Sequence, residues 1–150
     1  MIPNAARGVS HIAARIAKDL VAKAPDAYFA ADLAYITGLL SMIGQDYNRA
    51  AEVFTSEHAL ICEILGEAEP HIASGELRTR IAGARALETP SLRIPDLAAR
   101  ADREMKVLID VHAAVEAAEE NQEAWARPMN KKIWCFLERF VANRAYEVAL

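Results

Sequence analysis

The sequence predicts an all-α, single-domain bundle of five to six helices, mostly antiparallel, built around a long apolar central helix or bent helix pair. Three observations lead there. Apolar residues recur at helical spacing almost without interruption from Asp26 to Gly66, a stretch free of proline. Only six prolines and six glycines punctuate the 150 residues, too few for a chain of many β-turns. Hydrophobic residues make up 53% and charged residues 25%, the composition of a globular chain. A chain this long can bury roughly two-thirds of its unfolded surface.

The elements follow in order. Asn4 is placed to cap the first helix, because its side-chain oxygen can accept from the free N–H groups of the opening turn. That helix runs to about Ala24 on the stripe Val9, Ile12, Ile16 and Leu20, widened by Ala13 and Ala17. Arg7, Arg15, Lys18 and Lys23 give it a basic outer face. Pro25 ends it and fits the first position of the next helix, where a missing N–H removes no bond.

The second helix carries Phe29, Leu33, Ile36, Leu40 and Ile43 in line. Either Gly38 and Gly44 let a neighbouring helix approach closely, or Gly44-Gln45-Asp46 marks a bend. Asp46 is placed to cap a third helix on Tyr47, Ala50, Phe54, Ile61 and Leu65, so that one long bent helix and two helices both stay open. Pro70 and Ser74-Gly75 break the pattern before a shorter helix from Glu76 to Leu87 on Leu77, Ile81 and Ala84. Pro90 and Pro95 bracket the following connection, since each disfavours helix at the residue before it. Helical spacing resumes from Asp96 to Asn121 on Leu97, Ala101, Met105, Leu108 and Val115. Pro128 punctuates again, and the last helix, Met129 to Val148, uses Ile133, Leu137, Phe140 and Val141. No internal repeat and no compositional linker divides the chain, so one domain over residues 1–150 is expected.

Ala27 to Gly44 is nearly long enough to span a bilayer and carries one charge, Asp32. A carboxylate at the centre of a span costs about 2.5–3.5 kcal/mol on insertion scales. A helix that is apolar nearly all round also suits the middle of a soluble bundle, so no membrane is expected. Lys+Arg 17 against Asp+Glu 21 gives a net charge of −4, a poor match to nucleic acid. Cys62 and Cys135 each fall inside a helical pattern and read as buried free thiols rather than a disulfide. The start of the chain lacks the features of a signal peptide, and a cytoplasmic location is expected.

Four residues could hold a metal. His58 and His112 fall on apolar stripes, and Cys62 and Glu116 follow them at i+4, on the same helix face. If the two helices face each other, His58, Cys62, His112 and Glu116 form an N/S/O set of the kind zinc favours, with Glu63 and Glu119 as spare carboxylates. The competing reading is that each histidine simply donates to a neighbouring carbonyl or carboxylate. No Glu-x-x-His pair of a di-iron carboxylate bundle occurs. Asp32, among Phe29, Leu33, Tyr35 and Ile36, marks either a small polar cavity with Tyr35 or a carboxylate near a helix N-terminus.

Other chemistry lacks its motifs: there is no phosphate loop and no nucleophile elbow. A Cys62–His58 nucleophile pair can be drawn, but a mid-helix cysteine on an apolar face usually packs. No cofactor is expected. Trp125, Trp134 and Phe140 gather around the last helix and are the expected interface. Together these features predict a non-catalytic interaction or regulatory module that self-associates as a homodimer and can take a protein partner. The rival is a bundle holding a small ligand or metal at His58, His112 and Glu116, with Asp32 and Tyr35.

Overall fold

The computed structural model describes residues 4–86 and 91–147. Among them it is helical and without strands: α1 (Ala5–Arg15), α2 (Ala27–Ala68), α3 (Gly75–Arg85), α4 (Ile94–Glu120) and α5 (Ala126–Ala142). The stripe ends assigned to Leu87 and Val148, and Pro90, lie outside the described residues. The chain gathers into two compact units, Met1–Ala50 with Tyr146–Leu150, and Ala51–Ala145.

In the first unit Asn4 caps α1 as its chemistry predicts, Oδ1 accepting from the Arg7 N–H at 2.9 Å. After Arg15 the helix widens into a π turn, Ile16–Leu20, and tightens into a 3₁₀ turn, Val21–Lys23. Ala24 is extended, as the residue before a proline prefers. The cap of α2 is Asp26, whose Oδ1 accepts from the Phe29 N–H at 2.8 Å. Pro25 therefore stands ahead of the cap and not at the first helical position.

The choice between one helix and two resolves in favour of one: α2 is continuous for 42 residues. Asp46 caps nothing. It lies mid-helix, paired with Arg49 at 3.1 Å and accepting from the Tyr146 hydroxyl at 2.8 Å. α1 comes close to α2 at Gly44: a Cβ there would sit 3.5 Å from Ser10 Oγ and 3.7 Å from the Ala6 carbonyl oxygen, ordinary packing distances. This hairpin packs through small side chains. Ala6, Ala13 and Gly44 are buried, while among the described residues no large apolar side chain of the unit is.

The second unit holds a true core. Ile61 and Leu65 of α2, Leu108 and Val115 of α4, and Ile133 and Phe136 of α5 meet with Ile81 of α3. Ser74 caps α3 by accepting from the Leu77 N–H at 3.2 Å. Pro95 lies in the first turn of α4, and Pro128 in the first turn of α5, where a missing N–H removes no helical bond. The expectation that Pro128 would stop the chain short of its last helix is corrected on that ground. α4 ends in a Schellman turn: the Glu123 N–H bonds the Ala118 carbonyl at 3.0 Å and the Gln122 N–H that of Glu119 at 2.9 Å. Gln122 takes the left-handed backbone conformation, φ 61°, that the turn requires.

Candidate functional site

The buried stripe of α4 is Leu97, Arg100, Glu104, Leu108, Val111 and Val115, spaced by three and four residues. Two of its members are charged, and Glu104 is 0% exposed. A carboxylate so placed needs partners, because desolvation of an unpaired charge is severe. His58 of α2 supplies one, its Nδ1 lying 2.7 Å from Glu104 Oε1. Arg100, one turn earlier on α4, places Nε 3.5 Å from the same oxygen. Glu104 Oε2 is buried and has no hydrogen-bond partner among the described residues.

Cys62 stands one turn beyond His58 on α2, with Sγ 3.6 Å from Nδ1 and 3.9 Å from Nε2. Burial pushes its thiol up from the ordinary range, and the negative charge of Glu104 adds to this. Arg85 and Arg100 pull the other way without cancelling it. His58, Cys62 and Glu104 each present a donor atom within 4.8 Å of the others.

Half of the set read from the sequence is therefore brought together. His58 and Cys62 are joined by Glu104, whereas His112 and Glu116 stand elsewhere. Eight residues beyond Glu104 on α4, His112 is about 12 Å farther along the helix axis. There it donates from Nε2 to Asn130 Oδ1 at 2.9 Å, with Glu116 at 3.6 Å. The spare carboxylates are occupied too: Glu119 accepts from Asn130 Nδ2, and Glu63 and Glu67 share Lys132, each at 2.6 Å. Burial works against the charge on Lys132, but those two bonds outweigh it and hold the ammonium above its usual range.

Asp32 is exposed, and Tyr35 is 68% exposed. So exposed, the two enclose no buried polar site, against the expectation for them. The three aromatic interface residues divide. Trp125 stacks on His71 with ring centroids 4.6 Å apart, and Phe140 packs against the core beneath the Arg144 guanidinium. Trp134 alone stays half exposed, its ring edge-to-face with His112.

Glu104 is the residue the sequence reading missed. Its signal was present: Leu97, Arg100, Glu104, Leu108, Val111 repeats at three and four residues as regularly as Leu97, Ala101, Met105, Leu108 does. A charged pair on a seam looks wrong to a hydrophobicity count, and the apolar alternative one residue along was taken.

Chemically, the trio resembles a nucleophile, base and orienting carboxylate only in order. A raised thiol is a poor nucleophile, and backbone N–H groups in mid-helix are committed to the helix and cannot stabilise an oxyanion. Cys62 is half buried and Cys135 is exposed, against the expectation that both would be buried. With a thiol reagent at neutral pH, Cys135 should label first and Cys62 about tenfold or more slowly. Mass spectrometry of a labelling time course measures this, and equal rates would show that Cys62 is not sheltered. No protein-family model matches this chain, and neither a curated protein nor a solved structure matches it.

Proposed function

We propose that this protein is a non-catalytic helical interaction module that pairs with a second copy of itself along the apolar stripe of α2. One observation carries the reading. Between Ile12 and Tyr47, nine large apolar side chains stand exposed, among them Phe29, Ile36, Ile43 and Tyr47. Among the described residues, the same unit buries only alanines and a glycine. A hairpin with no larger core gains too little to offset the backbone entropy of ordering it. Each large side chain it buried against a partner would contribute about 1.5–3 kcal/mol.

The pattern of the stripe supports a helical partner. Phe29, Leu33, Ile36, Leu40, Ile43, Tyr47 and Ala50 alternate steps of four and three residues, the spacing of a coiled-coil seam. Gly44, where α1 comes close, lies at the edge of that seam beside the half-buried Leu33 and Leu40, and Phe29, Ile36, Ile43 and Tyr47 stay exposed. Two such hairpins from two copies make a four-helix bundle with closed twofold symmetry.

α2 is also long and apolar enough to cross a membrane. Two features favour the second copy over lipid. Asp32 is exposed within the apolar run, and α1, which meets α2 at Gly44, and the two turns after it carry Arg7, Arg15, Lys18 and Lys23. This reading shifts the association surface from Trp125, Trp134 and Phe140 to α2. It suits a soluble, cytoplasmic setting and calls for no cofactor.

Sedimentation equilibrium of the full chain at micromolar concentration tests it. Wild type should run as a dimer. Ile36→Asp with Ile43→Asp should weaken association by about 100-fold or more, since two desolvated seam positions become charged. A monomeric wild type, or one soluble only in detergent, overturns the reading.

A further inference from the structure

We infer that His58, Cys62 and Glu104 form a binding site for one divalent transition-metal ion that accepts thiolate, of the zinc or cobalt(II) class. This site lies in the second unit, and its case is independent of self-association through α2.

The first support is geometric. Four-coordinate zinc holds nitrogen at about 2.0–2.1 Å and sulfur at about 2.3 Å, which places the two roughly 3.5 Å apart on a tetrahedron. Cys62 Sγ is 3.6 Å from His58 Nδ1. The pair needs no rearrangement, because i, i+4 spacing on α2 already sets it. Glu104 comes from α4 with Oε1 already 2.7 Å from Nδ1, so a small turn of the carboxylate would bring its other oxygen, Oε2, to roughly 3.3 Å from Nδ1, the separation of two light ligands on one zinc ion.

A second, separate observation points to a ligand. Glu104 Oε1 faces both His58 and Arg100, yet Oε2 is buried without a hydrogen-bond partner among the described residues. An orphaned carboxylate oxygen in a fully buried side chain is costly, and a bound cation supplies what the protein does not.

Charge decides which ion. A thiolate and a carboxylate contribute two negative charges, which a divalent ion neutralises with His58 uncharged. Arg85 and Arg100 oppose an incoming cation, and only two anionic donors offset them. Magnesium and calcium prefer all-oxygen shells, so the sulfur selects a softer metal. Three protein ligands leave a fourth position for water, and His58, with a quarter of its side chain exposed, gives access from solvent.

Titration of the full chain with cobalt(II) tests the inference. One ion per chain should bind and give a thiolate-to-cobalt charge-transfer band in the near ultraviolet, which zinc then displaces. Cys62→Ser should abolish the band and Cys135→Ser should leave it. His58→Ala and Glu104→Gln should each weaken binding by more than about 100-fold, beyond the range seen for residues that only support ligands. Absence of the band in folded wild-type protein overturns the site, so unfolding of a variant cannot rescue it. A band that survives Cys62→Ser and vanishes in Cys135→Ser overturns it as well.

Discussion

Arg144→Ala should destabilise the second unit by about 3 kcal/mol, the low end of the range of about 3–5 kcal/mol for breaking a buried ion pair from one side. Glu57 of α2 is 2% exposed, and its carboxylate is gripped by the Arg144 fork, Nη1 to Oε1 at 2.5 Å and Nη2 to Oε2 at 2.9 Å. The same guanidinium donates to the Phe140 carbonyl at 3.0 Å and lies 3.4 Å above the centre of the Phe140 ring. Removing it leaves Glu57 buried with only a long contact, 3.4 Å, from Asn143. The low end applies because the Arg144 side chain is 39% exposed, so water screens part of the attraction. Urea denaturation followed by circular dichroism measures the loss. Exchanging both partners for apolar residues, Glu57→Leu with Arg144→Met, should recover most of it, because no charge is then stranded. If the single and double variants were equally unstable, the fork would be acting by packing alone.

The helices were legible in the sequence because the 3.6-residue period survives wherever a face is buried. Asn4 announced one start by its chemistry, Ser74 was read only as a break although it caps α3, and Leu108, Val115, Ile61, Leu65 and Ile133 were named as core and are buried. Boundaries were less so. Pro25 and Pro128 are compatible with several positions around a first turn, and only the hydrogen bond of Asp26 fixes where α2 begins.

What failed has one physical root. Periodicity reports which face is apolar but not what covers it. Phe29, Ile36 and Ile43 were as good a core stripe as Ile61 and Leu65, yet the first three are exposed. The difference lies in α1, which meets α2 at Gly44 with Ala6, Val9 and Ser10, too small to enclose them. The site was half legible for a related reason. His58 and Cys62 are neighbours by spacing alone, whereas Glu104 reaches them only through the packing of α4 on α2, a register the sequence does not specify. His112 had the same local pattern as His58 and met Asn130 instead.

The contrast within α2 yields the second large effect. Leu65→Ala should cost about 2–5 kcal/mol, because Leu65 is 0% exposed and its loss leaves a cavity among Leu108, Val111 and Ile133 that rigid helices cannot collapse to fill. Ile36→Ala lies on the same helix with 44% of its surface exposed. In monomeric protein it should change stability by no more than about 0.5 kcal/mol, the usual range for surface sites. At concentrations where two copies pair, Ile36→Ala should become costly, and its effect should grow with protein concentration by mass action. Leu65→Ala should cost the same at every concentration, because its cavity lies within one chain. Denaturation midpoints of both variants over a hundredfold dilution separate the two behaviours. A concentration-independent cost at Ile36 equal to that at Leu65 would mean that the stripe is covered from within the chain, and the open seam of α2 would not exist.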